Sequence, residues 1–96
     1  MHDLSSIRIV IRSNVIFQRV HDEAVLLDLD SEQYYALNEV GMLIWQLLSE
    51  GKEFSTIIPQ LLNQYDVDEA SLCKDLSDWI DELAELGLVG VAYDAR

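Results

Sequence analysis

The side chains that could do covalent chemistry are few. Cys73 is the only cysteine, and His2 and His21 are the only histidines. A thiol nucleophile needs a base within hydrogen-bond reach. His2 lies at a terminus, and His21 lies in a polar break between two apolar runs, where a solvated turn residue is expected. A Cys73–His21 dyad is therefore not expected. Cys73 reads instead as a small apolar residue on a helix, and a lone thiol makes no internal disulfide. A zinc site needs three or four ligands at set spacing, and none are so spaced. The glycines Gly41, Gly51, Gly87 and Gly90 are too scattered for a phosphate loop. No catalytic constellation, cofactor motif or metal site is found, and the chain does not read as an enzyme.

Carboxylates are plentiful. Asp28, Asp30 and Glu32 alternate through a run end and turn. A calcium loop would need a central glycine and a glutamate at its twelfth position, and both are missing. Solvation of a turn is the expected role. Asp75, Asp78, Asp81, Glu82 and Glu85 recur at helical spacing, which implies a solvated acidic face or a face for a cationic partner. The formal net charge is −12. Residues 1–21 carry Arg8, Arg12 and Arg19 against Asp3 alone, and all other acids follow. Such a charge argues against nucleic acid, whose affinity comes largely from cationic contacts. No apolar run approaches the ~18 residues of a membrane span. No secretory signal is evident, so the cytoplasm is the expected location.

Aromatic residues are more informative. Tyr34 and Tyr35 are adjacent in an extended run, so they must face opposite ways. Trp45 and Trp79 occupy apolar helical positions, where core packing is expected. A partly exposed Tyr34 or Trp79 would serve as an anchor for a peptide.

The elements that hold these residues follow from hydrophobic period. Val15–Val20, Ala24–Leu29 and Gln33–Leu37 are three β-rich runs separated by polar breaks, which predicts an antiparallel meander. Ile7–Ile11 is either a further strand or an arm. Asn38 is a good N-cap, and Val40, Leu43, Ile44, Leu47 and Leu48 follow at helical spacing until Gly51. A second helix beginning near Ser55 or Thr56 would place Pro59 in its first turn, where a missing N–H costs little. A third runs from Glu69 to about Leu86, with Leu72, Leu76, Trp79, Ile80, Leu83 and Leu86 on one side. Gly87 stops it, and Leu88–Val91 reads as a closing strand or extended tail. Strands followed by helices give an α+β fold. The three-stranded meander has edges with unpaired backbone groups, which a peptide can complete as an added strand.

The string VLLDLDSEQYYALNEVGMLIWQLL at 25–48, followed by Tyr65-Asp66-Val67-Asp68, Asp75, Trp79, Leu83 and Gly87-Leu88-Val89, resembles the PqqD-like family. These are leader-peptide recognition domains (RiPP recognition elements) for ribosomally made, modified peptides. The resemblance covers roughly residues 15–90. It implies a winged-helix-like fold, a three-stranded antiparallel sheet packed on three helices, with residues 15–92 as the recognition domain and 1–14 as an arm or extra strand.

It further implies a non-catalytic module. The leader of a precursor would add as a strand beside Gln33–Leu37, its side chains entering a groove between that strand and the third helix. The strand contacts would be Gln33, Tyr34, Tyr35 and Ala36, and the helix contacts Leu72, Asp75, Leu76 and Trp79. The module would hand the precursor to a separate maturation enzyme. It is most similar to free-standing members of lasso-peptide pathways, where that enzyme is a cysteine protease. Alternatives are a peptide chaperone for a radical enzyme, as in quinone-cofactor biosynthesis, and a winged-helix DNA-binding regulator. Against the last, Lys74 is the only base on the third helix. No cofactor, nucleic acid or membrane is implied. A homodimer through the same edge is a further option.

Overall fold

Alternating burial in the first third of the chain and helical burial in the remainder set the architecture. A computed structural model describes Leu4 and residues 7–93. The elements are β1 (Ile7–Ile11), β2 (Val15–Val20), β3 (Glu23–Asp28), β4 (Gln33–Leu37), α1 (Glu39–Ser49), α2 (Phe54–Gln64), α3 (Glu69–Glu85) and β5 (Val89–Tyr93). His2 lies outside the described residues. The fold is α+β: a three-stranded antiparallel sheet ordered β2-β3-β4 and three helices, plus a two-stranded antiparallel sheet of β1 and β5. Ile7–Ile11, open between arm and strand, is thus a strand, and its partner is the closing strand of the chain.

The meander buries one face. Ala24, Leu26 and Asp28 of β3 are buried, whereas Val25 and Leu27 are half-exposed. Cross-strand register places Phe17, Leu26 and Tyr35 in one inward row. His21 and Glu32 adopt positive φ in the two hairpin turns, and His21 is exposed, as a turn residue should be.

Asp28 differs from expectation. It is 7% exposed and organises the second turn instead of being solvated there. Its carboxylate accepts from Asn14 Nδ2 at 2.7 Å, the Asp30 amide at 3.0 Å and the Ser31 hydroxyl at 2.9 Å. Donors satisfy the charge, so burial is tolerated. The strand therefore ends at Asp28, and Leu29, expected to extend it, is exposed.

The helices begin and end on local signals. Asn38 caps α1, its Oδ1 accepting from the Gly41 amide at 2.8 Å. Gly51 follows with φ +84, a conformation that glycine adopts without strain. Asp68 caps α3 by accepting from the Ser71 amide, and Gly87 closes it with φ +78. Two expectations are corrected. α2 begins at Phe54, because Phe54 is buried and the Thr56 and Ile57 amides both donate to the Glu53 carbonyl. Pro59 is then in the second turn, where it lacks the amide that would bond back along the helix. Leu86 is 50% exposed: it is the C-cap of α3, its amide still donating to the Glu82 carbonyl, and its side chain stands at the edge of the apolar face and not within it.

Two buried clusters fill the interior. One joins Ile7 with Ile44, Leu48, Phe54, Ile57, Leu61, Leu76 and Ile80. The other joins Leu26 and Leu37 of the sheet with Met42, Trp45, Leu83, Leu88 and Val89. Trp45 is core, as its spacing predicts. Trp79 is half-buried and packs against both clusters. Cys73 is half-buried, and burial, then the charge of Glu69, raises its thiol pKa, which opposes nucleophilic use.

Candidate functional site

The strand order leaves one side of β4 unpaired within the meander. Which backbone groups face that side follows from the ladder. The Leu29 amide donates to the Asn14 carbonyl at 2.9 Å, so Leu29 bonds toward β2. Antiparallel bonding alternates residue by residue, so Asp28, Leu26 and Ala24 bond toward β4. Their partners Gln33, Tyr35 and Leu37 bond inward. Tyr34 and Ala36 therefore direct their N–H and C=O groups outward along the free edge. Side chains alternate independently of this. Tyr34 is 72% exposed on the outer face, and Tyr35 turns inward toward α3.

Tyr35 is held there. Its hydroxyl accepts from Trp79 Nε1 at 3.2 Å. Burial, with a smaller contribution from the Glu82 charge, raises the phenol pKa, and the Trp79 bond opposes that rise.

Beyond the end of β4 lies a groove of about 400 Å³. Asn38, Val40, Gly41 and Ile44 of the α1 end form one wall, and Leu72, Asp75, Leu76 and Trp79 of α3 form the other. Leu61, Tyr65 and Val67, from α2 and the loop after it, complete the lining. Asp75 supplies the only carboxylate among these residues. A smaller depression of about 290 Å³ lies where Gln33, Tyr34 and Tyr35 meet Glu82, Leu86 and Leu88. Among the described residues no cluster of three His, Cys, Asp or Glu side chains is placed to hold a metal ion, and no helix is long and apolar enough to cross a membrane. An open strand edge beside an apolar groove can bind an extended chain: the edge supplies backbone bonds, and the groove takes side chains.

The family model of Coenzyme PQQ synthesis protein D (PqqD) matches residues 23–89, from β3 through all three helices to the first residue of β5. The chain belongs to the PqqD family. Solved structures agree with that placement. TbiB1 in complex with the TbiA(beta) leader peptide superposes with a TM-score of 0.80 at 35% identity, over 90% of this chain and 99% of that one. Lasso peptide synthetase B1 complexed with the leader peptide superposes with a TM-score of 0.80 at 25% identity, over 86% of this chain and 98% of that one. No curated protein matches the sequence.

In this PqqD-family chain, the residues singled out from sequence fall into two groups. Leu72, Asp75, Leu76 and Trp79 converge on the large groove. Gln33, Tyr34 and Tyr35 line the smaller depression, and Ala36 lies on the exposed edge. The Trp79–Tyr35 bond joins the groups. Leu76 is only 2% exposed, so it is groove floor and core at once. The sequence reading did not single out the α1 wall of Asn38, Val40, Gly41 and Ile44. Asn38 was recognisable as the cap, but the packing of the α1 start against α3 is a tertiary fact without a local signal.

Proposed function

We propose that this domain recognises the leader segment of a ribosomally synthesised precursor peptide by adding it as a strand to β4. In this reading it then delivers the precursor to a separate maturation enzyme, the cysteine protease of a lasso-peptide pathway. The domain itself binds and does not catalyse. One observation carries the reading: the unpaired edge of β4 turns the backbone groups of Tyr34 and Ala36 outward, and the apolar groove opens where that strand ends, at Asn38. The likeness to two proteins solved with leader peptides bound supports it.

Magnitudes divide the labour. Micromolar binding corresponds to about 8 kcal/mol. The outward groups of Tyr34 and Ala36 offer up to four backbone bonds, each worth net about 1 kcal/mol. Association alone costs at least about 4 kcal/mol. The edge therefore sets register and direction, and affinity must come from leader side chains buried in the groove, at about 1.5–3 kcal/mol for each apolar one. Gln33, Tyr34, Tyr35 and Ala36 are the proposed strand contacts, with Leu72, Asp75, Leu76 and Trp79 on the helix side.

A DNA-binding reading finds no support. Lys74, the one base on α3, is 3.1 Å from Asp78 amid exposed acids. The test is fluorescence anisotropy with a labelled leader from the precursor gene beside this one, and with duplex DNA. Saturable peptide binding in the micromolar range without DNA binding is expected. Saturable DNA binding at physiological salt, without leader binding, would refute the proposal. Delivery is checked separately, by whether the domain accelerates precursor cleavage by the neighbouring protease.

A further inference from the structure

Gly41 stands in the first turn of α1, and its φ is not positive. Its backbone does not require glycine, and alanine is the better helix former. The consequence of glycine here is spatial. A Cβ at this position would lie 3.3 Å from Asn38 Oδ1, 3.5 Å from Leu37 Cδ2 and 3.6 Å from Trp79 Cζ2. Only the first distance is tighter than ordinary van der Waals contact, so alanine fits the fold with a shift of a few tenths of an ångström. Gly41 also lines the groove, at the end where β4 passes into α1. There the Trp79 indole lies against it through Cζ2, and the neighbouring Nε1 on the same edge of the ring is held by the Tyr35 hydroxyl. A methyl at position 41 would fill the recess that Gly41 leaves in the groove wall, beside a Trp79 ring whose Nε1 is tied to Tyr35.

We propose that Gly41 is a specificity-determining residue, its bare Cα beside the tied Trp79 ring leaving a methyl-sized recess that seats the tip of one apolar side chain of the leader at the strand-side end of the groove. This rests on the leader-recognition reading. It adds the position at which the size of a peptide side chain is read, and Trp79 and Tyr35 act as the positioning pair.

The test uses the full chain and the labelled leader of the adjacent precursor gene, together with variants of that leader in which each bulky apolar residue is truncated to Ala in turn. Gly41→Ala should keep or raise the thermal midpoint, because the helix gains a better former. It should nevertheless bind the native leader about tenfold or more weakly, the equivalent of losing one seated apolar side chain. For one truncated leader that penalty should fall within about twofold, since the clashing group is gone. Adding Trp79→Phe to Gly41→Ala should recover part of the lost affinity, because the smaller ring vacates the space that the new methyl takes. Equal loss for every leader, or a lowered thermal midpoint with uniform loss, would show that the glycine serves the fold and would overturn the inference. Unchanged binding in Gly41→Ala would overturn it too. Failure of the wild-type chain to bind any leader would instead strike the leader-recognition reading itself, before any variant is compared.

Discussion

Trp79 of α3 donates its indole N–H to the hydroxyl of Tyr35 on the edge strand β4, at 3.2 Å. The two residues are 44 apart in sequence, and this bond ties the helix that walls the groove to the strand whose edge lies open. Neither partner is fully buried, so water can replace part of what a deletion removes.

Tyr35→Phe should therefore lower the unfolding free energy by only about 1 kcal/mol. Urea titration measures this. The same variant tests a pH effect. The phenol pKa is raised in the fold, so the native state resists deprotonation. Stability from this group is intact below the ordinary tyrosine pKa of about 10 and declines as pH rises through the higher native value. Tyr35→Phe should lose less stability than the wild type between neutral pH and alkaline pH.

Proline separates the two sides of β4. Ala36 directs its amide to the free edge, so Ala36→Pro removes no ladder bond and should leave the sheet folded. It should abolish the backbone bond that an added strand would take from position 36, and so weaken leader binding about tenfold or more. Tyr35→Pro instead breaks a bond to β3 and should destabilise the domain by about 3 kcal/mol. Circular dichroism melts and anisotropy distinguish the outcomes. If both variants bind and fold alike, the assigned ladder phase is wrong.

Much of the fold is legible in local sequence. β-rich runs between polar breaks located the meander, and Asn38, Gly51 and Gly87 marked helix ends, because capping and positive φ are local chemistry. Asp28 was not readable, because its donors include Asn14, which reaches it only after β2 and β3 pair. The start of α2 was missed because burial of Phe54 outweighs the preference of proline for a first turn. The α1 wall of the groove was missed for the same kind of reason. Leu72 and Trp79 announce a helix face, but nothing local to Val40 or Gly41 says which helix will stand opposite.

Asp28 predicts an acid sensitivity. Hydrogen bonds, that of Ser31 foremost, hold its carboxyl below the ordinary carboxylate pKa. Its contribution is then present above the unfolded value of about 4 and disappears as pH falls through the lower native value. Asp28→Asn should melt earlier at neutral pH, and its deficit against the wild type should shrink on acidification below pH ~4. A deficit that does not change with pH would show that the charge is immaterial to the turn.

The added sheet of β1 and β5 should matter to the core. Ile7 is 5% exposed and belongs to the cluster with Leu48 and Phe54. Ile7→Ala should cost about 2–4 kcal/mol through lost burial and the cavity left behind. Val10→Ala on the same strand, at an exposed position, should change stability by no more than about 0.5 kcal/mol. Denaturant midpoints of the two variants check the contrast.

The groove and the acidic face of α3 make opposite demands on a partner, and variants along one helix can tell them apart. Trp79 and Asp75 line the groove, whereas exposed Asp81 and Glu85 lie outside it. If the groove carries recognition, Trp79→Ala should weaken leader binding about tenfold or more through lost apolar contact. Asp81→Asn and Glu85→Gln should stay within about twofold, because exposed charges outside the groove contribute little. Asp75→Asn should fall between, at about two- to fivefold, the range of one solvent-accessible polar contact. Repeating the titrations at low and high salt adds an independent check. Screening shortens the reach of exposed charges to about 8 Å at physiological ionic strength. A groove-dominated complex should lose little affinity with salt. A steep salt loss, together with larger effects at Asp81 and Glu85 than at Trp79, would assign recognition to the acidic face.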